Sequence, residues 1–333
     1  MLKIGLLGAG MIGKAHIEGF LSMKNEIARY TAVCDIDAIK RNELAQKYHL
    51  HAFADFDEML ADPNLDVVDL CLPSFMHEEF AVKTVRAKKH LLIEKPIAFT
   101  FEAARNIFEA ARENGVRVMV AQVIRFWPEY VKIKEICDSG ELGEIVTVYA
   151  ARLGQMVTWV DWYKDPAKSG ETLMNLTQHD IDFLHYLLGR PISVYSAGIR
   201  DANNNYNDVM NIFRFTCGAN AIVDGSLSMT AGYPFTMRMR VLGTKGTLEF
   251  QYTAGENIGP ESASSLIWYR PGEKGKKMEV ENYDPYGKEI EYFIQCIAAG
   301  KDPETVSEQN VMQVLASILA AKESLIRGEA CFI

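Results

Sequence analysis

Short apolar runs alternate with amphipathic stretches from Met1 to about Ala121. The runs at 2–7, 29–34, 66–72, 89–93 and 116–121 are rich in Val, Ile, Leu and Ala, as strands buried on both faces require. The stretches between them, near 11–23, 37–49, 75–87 and 101–114, carry apolar residues at helical spacing. Strand and helix in alternation predict a parallel sheet with helices on both faces. Sheets of this kind bind ligands at the carboxyl ends of their strands, near the point where strand order reverses.

After about Val123 the pattern changes. A helix is predicted over Pro128 to Cys137, a turn at Gly140-Glu141-Leu142-Gly143, and a strand over 144–152. Thr172 to Leu188 reads as one α-helix, closed by Gly189 and Pro191. Strand candidates then follow near 192–200, 208–216, 220–229, 236–242, 247–251 and 265–270, separated by Gly and Asn turns. Consecutive strands with short turns predict an antiparallel sheet. Ala254 to Ser265, glycine- and serine-rich, reads as a loop at its edge, and helices near 285–299 and 307–327 close the chain. The expected fold is therefore α/β over residues 1–121, followed by an α+β domain with an open, mainly antiparallel sheet over 122–333. The outer face of an open sheet needs cover, and a second copy supplies it. A homodimer or homotetramer through that sheet is the expectation.

Composition narrows the classes. A chain of 333 residues suits two domains, and 48% apolar with 24% charged residues is ordinary for a globular protein. A formal charge of −9 works against a nucleic-acid or anionic-membrane partner. No uninterrupted apolar stretch reaches bilayer length, and Met1-Leu2-Lys3-Ile4 runs straight into the first strand, so neither membrane span nor secretory signal is expected. The cysteines at 34, 71, 137, 217, 296 and 331 form no CxxC pair, which predicts reduced side chains in the cytoplasm.

Candidate chemistry begins at the first strand's end. Gly8-Ala9-Gly10-Met11-Ile12-Gly13 stands between that strand and the first helix. A strand, glycine turn and helix in this order aim unpaired N–H groups and a helix dipole at a pyrophosphate. Gly8 permits the tight turn, Gly10 the approach of phosphate, and Gly13 the close packing of helix on strand. The second strand ends in Asp35, about 20 residues on, where a carboxylate accepts both hydroxyls of an adenosine ribose. Ile36 follows rather than an arginine or serine, so NAD is expected over NADP, with Lys40 and Arg41 near enough to soften the preference.

Glu94-Lys95-Pro96 closes the strand at 89–93, placing Lys95 beside the cofactor groove. A lysine there can hydrogen-bond an alcohol and relay its proton, or it can simply pair with Glu94. Asn175, His179 and Asp182 fall on one face of a regular helix. His179 suits proton exchange near neutral pH, Asn175 can hold a substrate hydroxyl and Asp182 can orient the imidazole; a solvated polar face accounts for the same spacing. Arg125 is a candidate for substrate or for a structural ion pair. Trp159, with Asp161, Trp162 and Tyr163, is a candidate sugar-binding face or a core plug. No histidine pairing points to a metal.

These motifs, in this order, together with Leu72-Pro73-Ser74-Phe75-Met76-His77, Arg125-Phe126-Trp127-Pro128 and His179-Asp180-Ile181-Asp182, resemble the Gfo/Idh/MocA family of NAD(P)-dependent oxidoreductases along nearly the whole chain. The resemblance implies a Rossmann domain joined to an α+β domain, with the active site in the cleft between them. It also implies that Lys95 and His179 match the family's catalytic lysine and histidine, and that Leu72, Pro73 and His77 match the loop along the cofactor. One position departs: Asn175 stands where inositol dehydrogenases commonly carry an aspartate. The implied activity is hydride transfer to or from a secondary alcohol of a sugar, polyol or inositol-like compound. Glycoside cleavage through transient oxidation and a dinucleotide-sensing regulator are the alternatives; a sensor has no use for Lys95 and His179.

Overall fold

The run Leu2-Lys3-Ile4-Gly5-Leu6-Leu7 forms the first strand, with Ile4 and Leu6 fully buried. In this computed structural model residues 1–158, 160–255 and 259–333 are described, 259–261 by backbone alone. The parallel sheet comprises β1 (Leu2–Leu7), β2 (Ala28–Cys34), β3 (His51–Phe53), β4 (Val67–Leu70), β5 (His90–Glu94) and β6 (Val118–Ala121), in the order β3-β2-β1-β4-β5-β6. This is the doubly wound order, and it reverses between β1 and β4. Helices α1 (Met11–Ser22), α2 (Ala38–Tyr48), α3 (Phe56–Leu60), α4 (His77–Arg86) and α5 (Phe101–Asn114) connect the strands. Side-chain caps set their starts: Asp37 accepts from the Ile39 and Lys40 amides, and Thr100 from that of Ala103. The one strand of this sheet without a sequence signal is β3, because His51 and Ala52 face solvent and leave no apolar run.

The chain divides into two units, Met1–Trp127 with Asn282–Met312, and Pro128–Glu281 with Gln313–Ile333. A single boundary after residue 121 therefore does not describe it. The reason is a glycine pair. In α9 (Pro285–Ala298), a Cβ on Gly287 would strike the carbonyl of Gly19 in α1, and one on Gly19 would come within 2.8 Å of the Gly287 nitrogen. Two bare backbones let α9 lie directly on α1, where Ile290, Phe293 and Ile294 are buried.

The second unit holds α6 (Pro128–Asp138), α7 (Pro166–Ser169), α8 (Gln178–Leu188) and most of α10 (Glu308–Arg327). Its strands are β7 (Ile145–Leu153), β8 (Pro191–Arg200), β9 (Tyr206–Phe215), β10 (Asn220–Ser226), β11 (Thr236–Gly243), β12 (Gly246–Gly255), β13 (Gly259–Tyr269), β14 (Lys276–Lys277) and β15 (Cys331–Phe332). They form one sheet, β14-β13-β12-β11-β7-β10-β9-β8-β15, antiparallel except for β7 with β10. The loop expected from Ala254 to Ser265 is corrected: from Gly259 onward it is β13, paired along β12, for example Thr253 with Ala263. Its short polar side chains hid a backbone that is fully engaged in the ladder. One face of the sheet buries Val148, Phe213, Val241 and Phe250, and Tyr130 meets Phe250 edge-on at a ring distance of 5.1 Å and Phe183 at 4.8 Å. The other face exposes Tyr195, Ile199, Met210, Ile212 and Leu242. Among the described residues no helix is long and apolar enough to cross a membrane.

Candidate active site

In the first unit the glycine turn is built to leave a space. Gly8 has φ +104°, a conformation that disfavours a side chain, and a Cβ there would lie 2.7 Å from the Cys71 carbonyl. A Cβ on Gly13 would drive into the carbonyl of Gly8, so α1 approaches β1 only without one. At Gly10, by contrast, a Cβ would meet no protein atom within 4 Å. That opening lies at the N-terminus of α1, whose cap residue Gly10 makes no side-chain hydrogen bond to the first turn. The backbone amides of Met11 and Ile12 belong to this turn, at the positive end of the helix dipole. These features fit a dinucleotide's pyrophosphate.

Asp35 stands beside the turn. Its Oδ2 accepts from the Ala9 amide at 2.6 Å and its Oδ1 from the Asp37 amide at 2.7 Å, so the carboxylate is fixed in place. Arg41 donates to the Asp35 main-chain carbonyl at 2.7 Å. On the far side of the switch point, Leu72 and Pro73 follow β4 and lead into His77. The His77 ring bridges two loops: Nδ1 lies 2.6 Å from the Pro96 carbonyl and Nε2 2.9 Å from that of Leu72. Burial pushes its pKa down, against the two carbonyls that would each accept an N–H from the charged form. His77 thus ties the two loops together.

Lys95 follows β5 directly and is half-buried; the Lys95–Pro96 peptide is cis. Glu94 turns inward. Its Oε2 accepts from the Lys95 amide at 3.0 Å, while Oε1 lies 3.3 Å from Nε2 of His16, a buried histidine of α1. Glu94, counted with the glycine turn among the candidate cofactor-binding residues, thus has both carboxylate oxygens engaged within the protein. Arg125 is likewise drawn inward, 3% exposed, and its Nη1 donates to the Thr305 carbonyl at 2.5 Å. It braces the segment after α9 in its own unit, in keeping with the structural one of its two expected roles.

In the second unit the predicted regular helix carries an irregularity at the candidate site. Leu173–Thr177 is a π-helical turn, and α8 begins only at Gln178. The Thr177 hydroxyl donates to the Leu173 carbonyl at 3.2 Å, competing with the backbone for it. Asn175 sits in the π turn and His179 in the first turn of α8, so the simple four-residue spacing does not hold between them. Asn175 is buried, and its Nδ2 donates to the main-chain carbonyl of Ser169. His179 remains partly exposed, whereas Asp180 and Asp182, which follow it, are fully buried. Asp180 is gripped by Arg152 of β7, Nε to Oδ2 at 2.9 Å and Nη2 to Oδ1 at 3.1 Å. This two-point pair fixes the helix turn that presents His179. Of the aromatic loop, Trp162 and Tyr163 pack ring on ring at 4.3 Å, and Trp159 lies outside the described residues.

Sequence reasoning missed His16 and Asp69. A charged residue inside the apolar run Val67-Val68-Asp69-Leu70 was the available signal, since a buried carboxylate demands a partner. Nδ1 of His16 lies 3.0 and 3.1 Å from the two oxygens of Asp69. Cys71 joins them within 4.8 Å, a donor set that a metal could use. These groups are already engaged with the protein: the Tyr30 hydroxyl donates to Asp69 Oδ2 at 2.6 Å, and Nε2 of His16 lies 3.3 Å from Glu94.

Comparison with known proteins agrees with this architecture. The sequence profile of an oxidoreductase family with an NAD-binding Rossmann fold matches residues 2–122, and that of the Gfo/Idh/MocA C-terminal domain matches residues 130–249. The inositol 2-dehydrogenase of Rhizobium meliloti (strain 1021) is 30% identical over 312 residues, covering 90% of each chain. A D-xylose 1-dehydrogenase (NADP+) of Haloferax volcanii is 26% identical over 99% of each chain. The crystal structure of an aldose-aldose oxidoreductase from Caulobacter crescentus shares the fold, with a TM-score of 0.88 at 20% identity over 100% of this chain and 99% of that one.

Proposed function

Because this chain belongs to the Gfo/Idh/MocA oxidoreductases with an NAD-binding Rossmann fold, we propose that it is a dehydrogenase of a secondary alcohol in a sugar, polyol or inositol. The observation that carries this reading is the position of Lys95: it leaves the carboxyl end of β5, next to the strand at which sheet order reverses from the glycine turn. The backbone of the turn from Gly8 to Gly13 holds the pyrophosphate, and Asp35 holds the ribose diol. The cofactor, when bound, supplies hydride acceptance and release. The chain's own residues move the proton. Lys95 offers its ammonium to the alcohol oxygen and stabilises the charge that grows there as the C–H bond breaks. His179 takes the hydroxyl proton and passes it to solvent. Asp180, through Arg152, keeps that imidazole in place.

The fixed carboxylate of Asp35 favours an unphosphorylated ribose, so NAD is the preferred cofactor. The six cysteines are all free, which suits a reducing cytoplasm. The exposed apolar side chains of β8, β9 and β11 suit cover by a second copy of the same sheet.

A panel of aldoses, inositols, polyols and amino sugars, each supplied with NAD or NADP and followed by absorbance of the reduced cofactor, tests the reading. Net NADH formation with at least one of them, faster with NAD, is the expected result. Glycoside cleavage with no net NADH would instead favour the redox-neutral glycosidase. No turnover of any member would overturn the dehydrogenase.

A further inference from the structure

Four elements of the first unit that carry or lead into cofactor or catalytic candidates each send one polar side chain to a common buried cluster. The strand β2 ends in Asp35 and contributes Tyr30, whose hydroxyl donates to Asp69 Oδ2 at 2.6 Å. The helix α1 begins at the glycine turn and contributes His16. Strand β4 leads to Leu72 and contributes Asp69 itself. Strand β5 leads to Lys95 and contributes Glu94. Tyr30, His16, Asp69 and Glu94 are all buried. The returning helix α9 closes the cluster: the Tyr286 ring lies 5.4 Å from that of His16, and Glu289 is fully buried.

We propose that His16 is a positioning residue for Lys95, acting through Glu94, and that it locks the cofactor-binding helix and the lysine-bearing strand into one register. The inference rests on the role proposed above for Lys95. The geometry gives it a single route. Glu94 has two oxygens and two tasks, the Lys95 amide at 3.0 Å and His16 Nε2 at 3.3 Å. The amide bond fixes the peptide from which the lysine side chain departs. The His16 contact fixes Glu94 to α1. Asp69 holds the other edge of the ring, and Tyr30 holds Asp69.

Charge follows the same line. Burial opposes a charge on His16, but the Asp69 carboxylate, with Cys71, more than offsets it and the pKa stands well above the ordinary value. An imidazolium then donates to a carboxylate on each side, the arrangement in which both short contacts are satisfied. Glu289 faces this cluster along with Asp284, Glu94 and Asp69, and burial pushes its pKa well up, so it enters as a neutral acid.

Two variants separate the links because the side-chain amide of Asn imitates Nδ1 of histidine and that of Gln imitates Nε2. His16→Gln keeps a donor for Glu94 and gives up Asp69; His16→Asn does the reverse. Both remove the same charge. The first readout needs no substrate: hydrogen–deuterium exchange of peptides spanning Glu94 to Ile97, in which Pro96 has no amide. His16→Asn is expected to speed exchange at Lys95 by about tenfold or more while His16→Gln leaves it near wild type, since a freed carboxylate no longer holds that amide. The second readout is turnover of whichever alcohol the panel identifies. There His16→Asn is expected to lower kcat about tenfold or more and His16→Gln by no more than about threefold, with NADH affinity little changed in either, as for a misplaced catalytic group. Equal effects of the two variants, on exchange or on kcat, would overturn the proposal. Should His16→Asn fail to fold, Glu94→Gln reads the same link, because an amide has one oxygen where two donors must be met; wild-type exchange and kcat in that variant would overturn it equally. A wild-type enzyme that oxidises no alcohol, yet shows the split in exchange, would retire the dehydrogenase reading and leave the positioning intact.

Discussion

Asn175 places an N–H₂ group where a carboxylate has nothing to donate. Its bond to the Ser169 carbonyl ties the π turn beside His179 to the last residue of α7. An Asn175→Asp change sets a negative oxygen against that carbonyl, and leaving a buried acceptor unmet costs about 1–3 kcal/mol. A fall in the thermal midpoint is therefore expected, together with a shift of any histidine-range limb in the pH profile of kcat/KM to higher pH, since a nearby carboxylate favours the imidazolium. Unchanged stability would show that the amide bond carries no weight. His16 gives a second residue-scale expectation, with a defined sign. Its folded pKa lies above the ordinary 6.5, so its contribution to stability is complete below that pH and is lost as pH rises through the raised value. Glu289, raised from 4.5, acts in the same direction. Thermal unfolding scans should show stability falling from pH 6.5 upward, and His16→Asn should flatten that fall; an identical slope in the variant would contradict it. At this scale the places of Lys95 after a strand and of His179 within a helix were legible in the sequence. The inward turn of Glu94 and of Arg125 was not, because the partners, His16 and Thr305, stand far away in the chain.

At the scale of elements, the apolar runs marked the strands of the first sheet to within a few residues, because strands buried on both faces must be apolar throughout. Where that constraint relaxes, the signal fades. Strand β3 exposes His51 and Ala52, and β13 exposes Ser262, Ala263 and Ser264. The π turn at Leu173–Thr177 was also invisible, since its cause is a hydroxyl competing for a carbonyl and not a change of hydrophobic period. The glycine turn was legible in full, and it carries a test. Gly13→Ala forces the Cβ toward the Gly8 carbonyl, so α1 must withdraw from β1 and carry its N-terminal amides with it. A loss of NADH affinity of about tenfold or more is expected, alongside the roughly 1–3 kcal/mol that overpacking costs. Wild-type affinity in a titration of NADH fluorescence would show that the turn does not hold the pyrophosphate.

For the whole molecule, the partition into units was only half visible. A boundary near residue 121 follows from the change in period, but the return of 282–312 to the first unit depends on Gly19 meeting Gly287, a contact between positions with no sequence relation. That return matters to the chemistry, because α9 brings Tyr286 and Glu289 onto the cluster behind Lys95. The glycine turn and Lys95 belong to the first unit and His179 to the second. The most direct measurement is therefore the Lys95→Ala variant, assayed for kcat/KM on the alcohol that the wild-type enzyme oxidises and titrated in parallel with NADH. A lysine that works on the alcohol oxygen predicts a drop in kcat/KM of about a hundredfold or more with NADH affinity within about threefold of wild type. Comparable turnover in the variant, or a loss of NADH affinity as large as the loss of rate, would contradict the account.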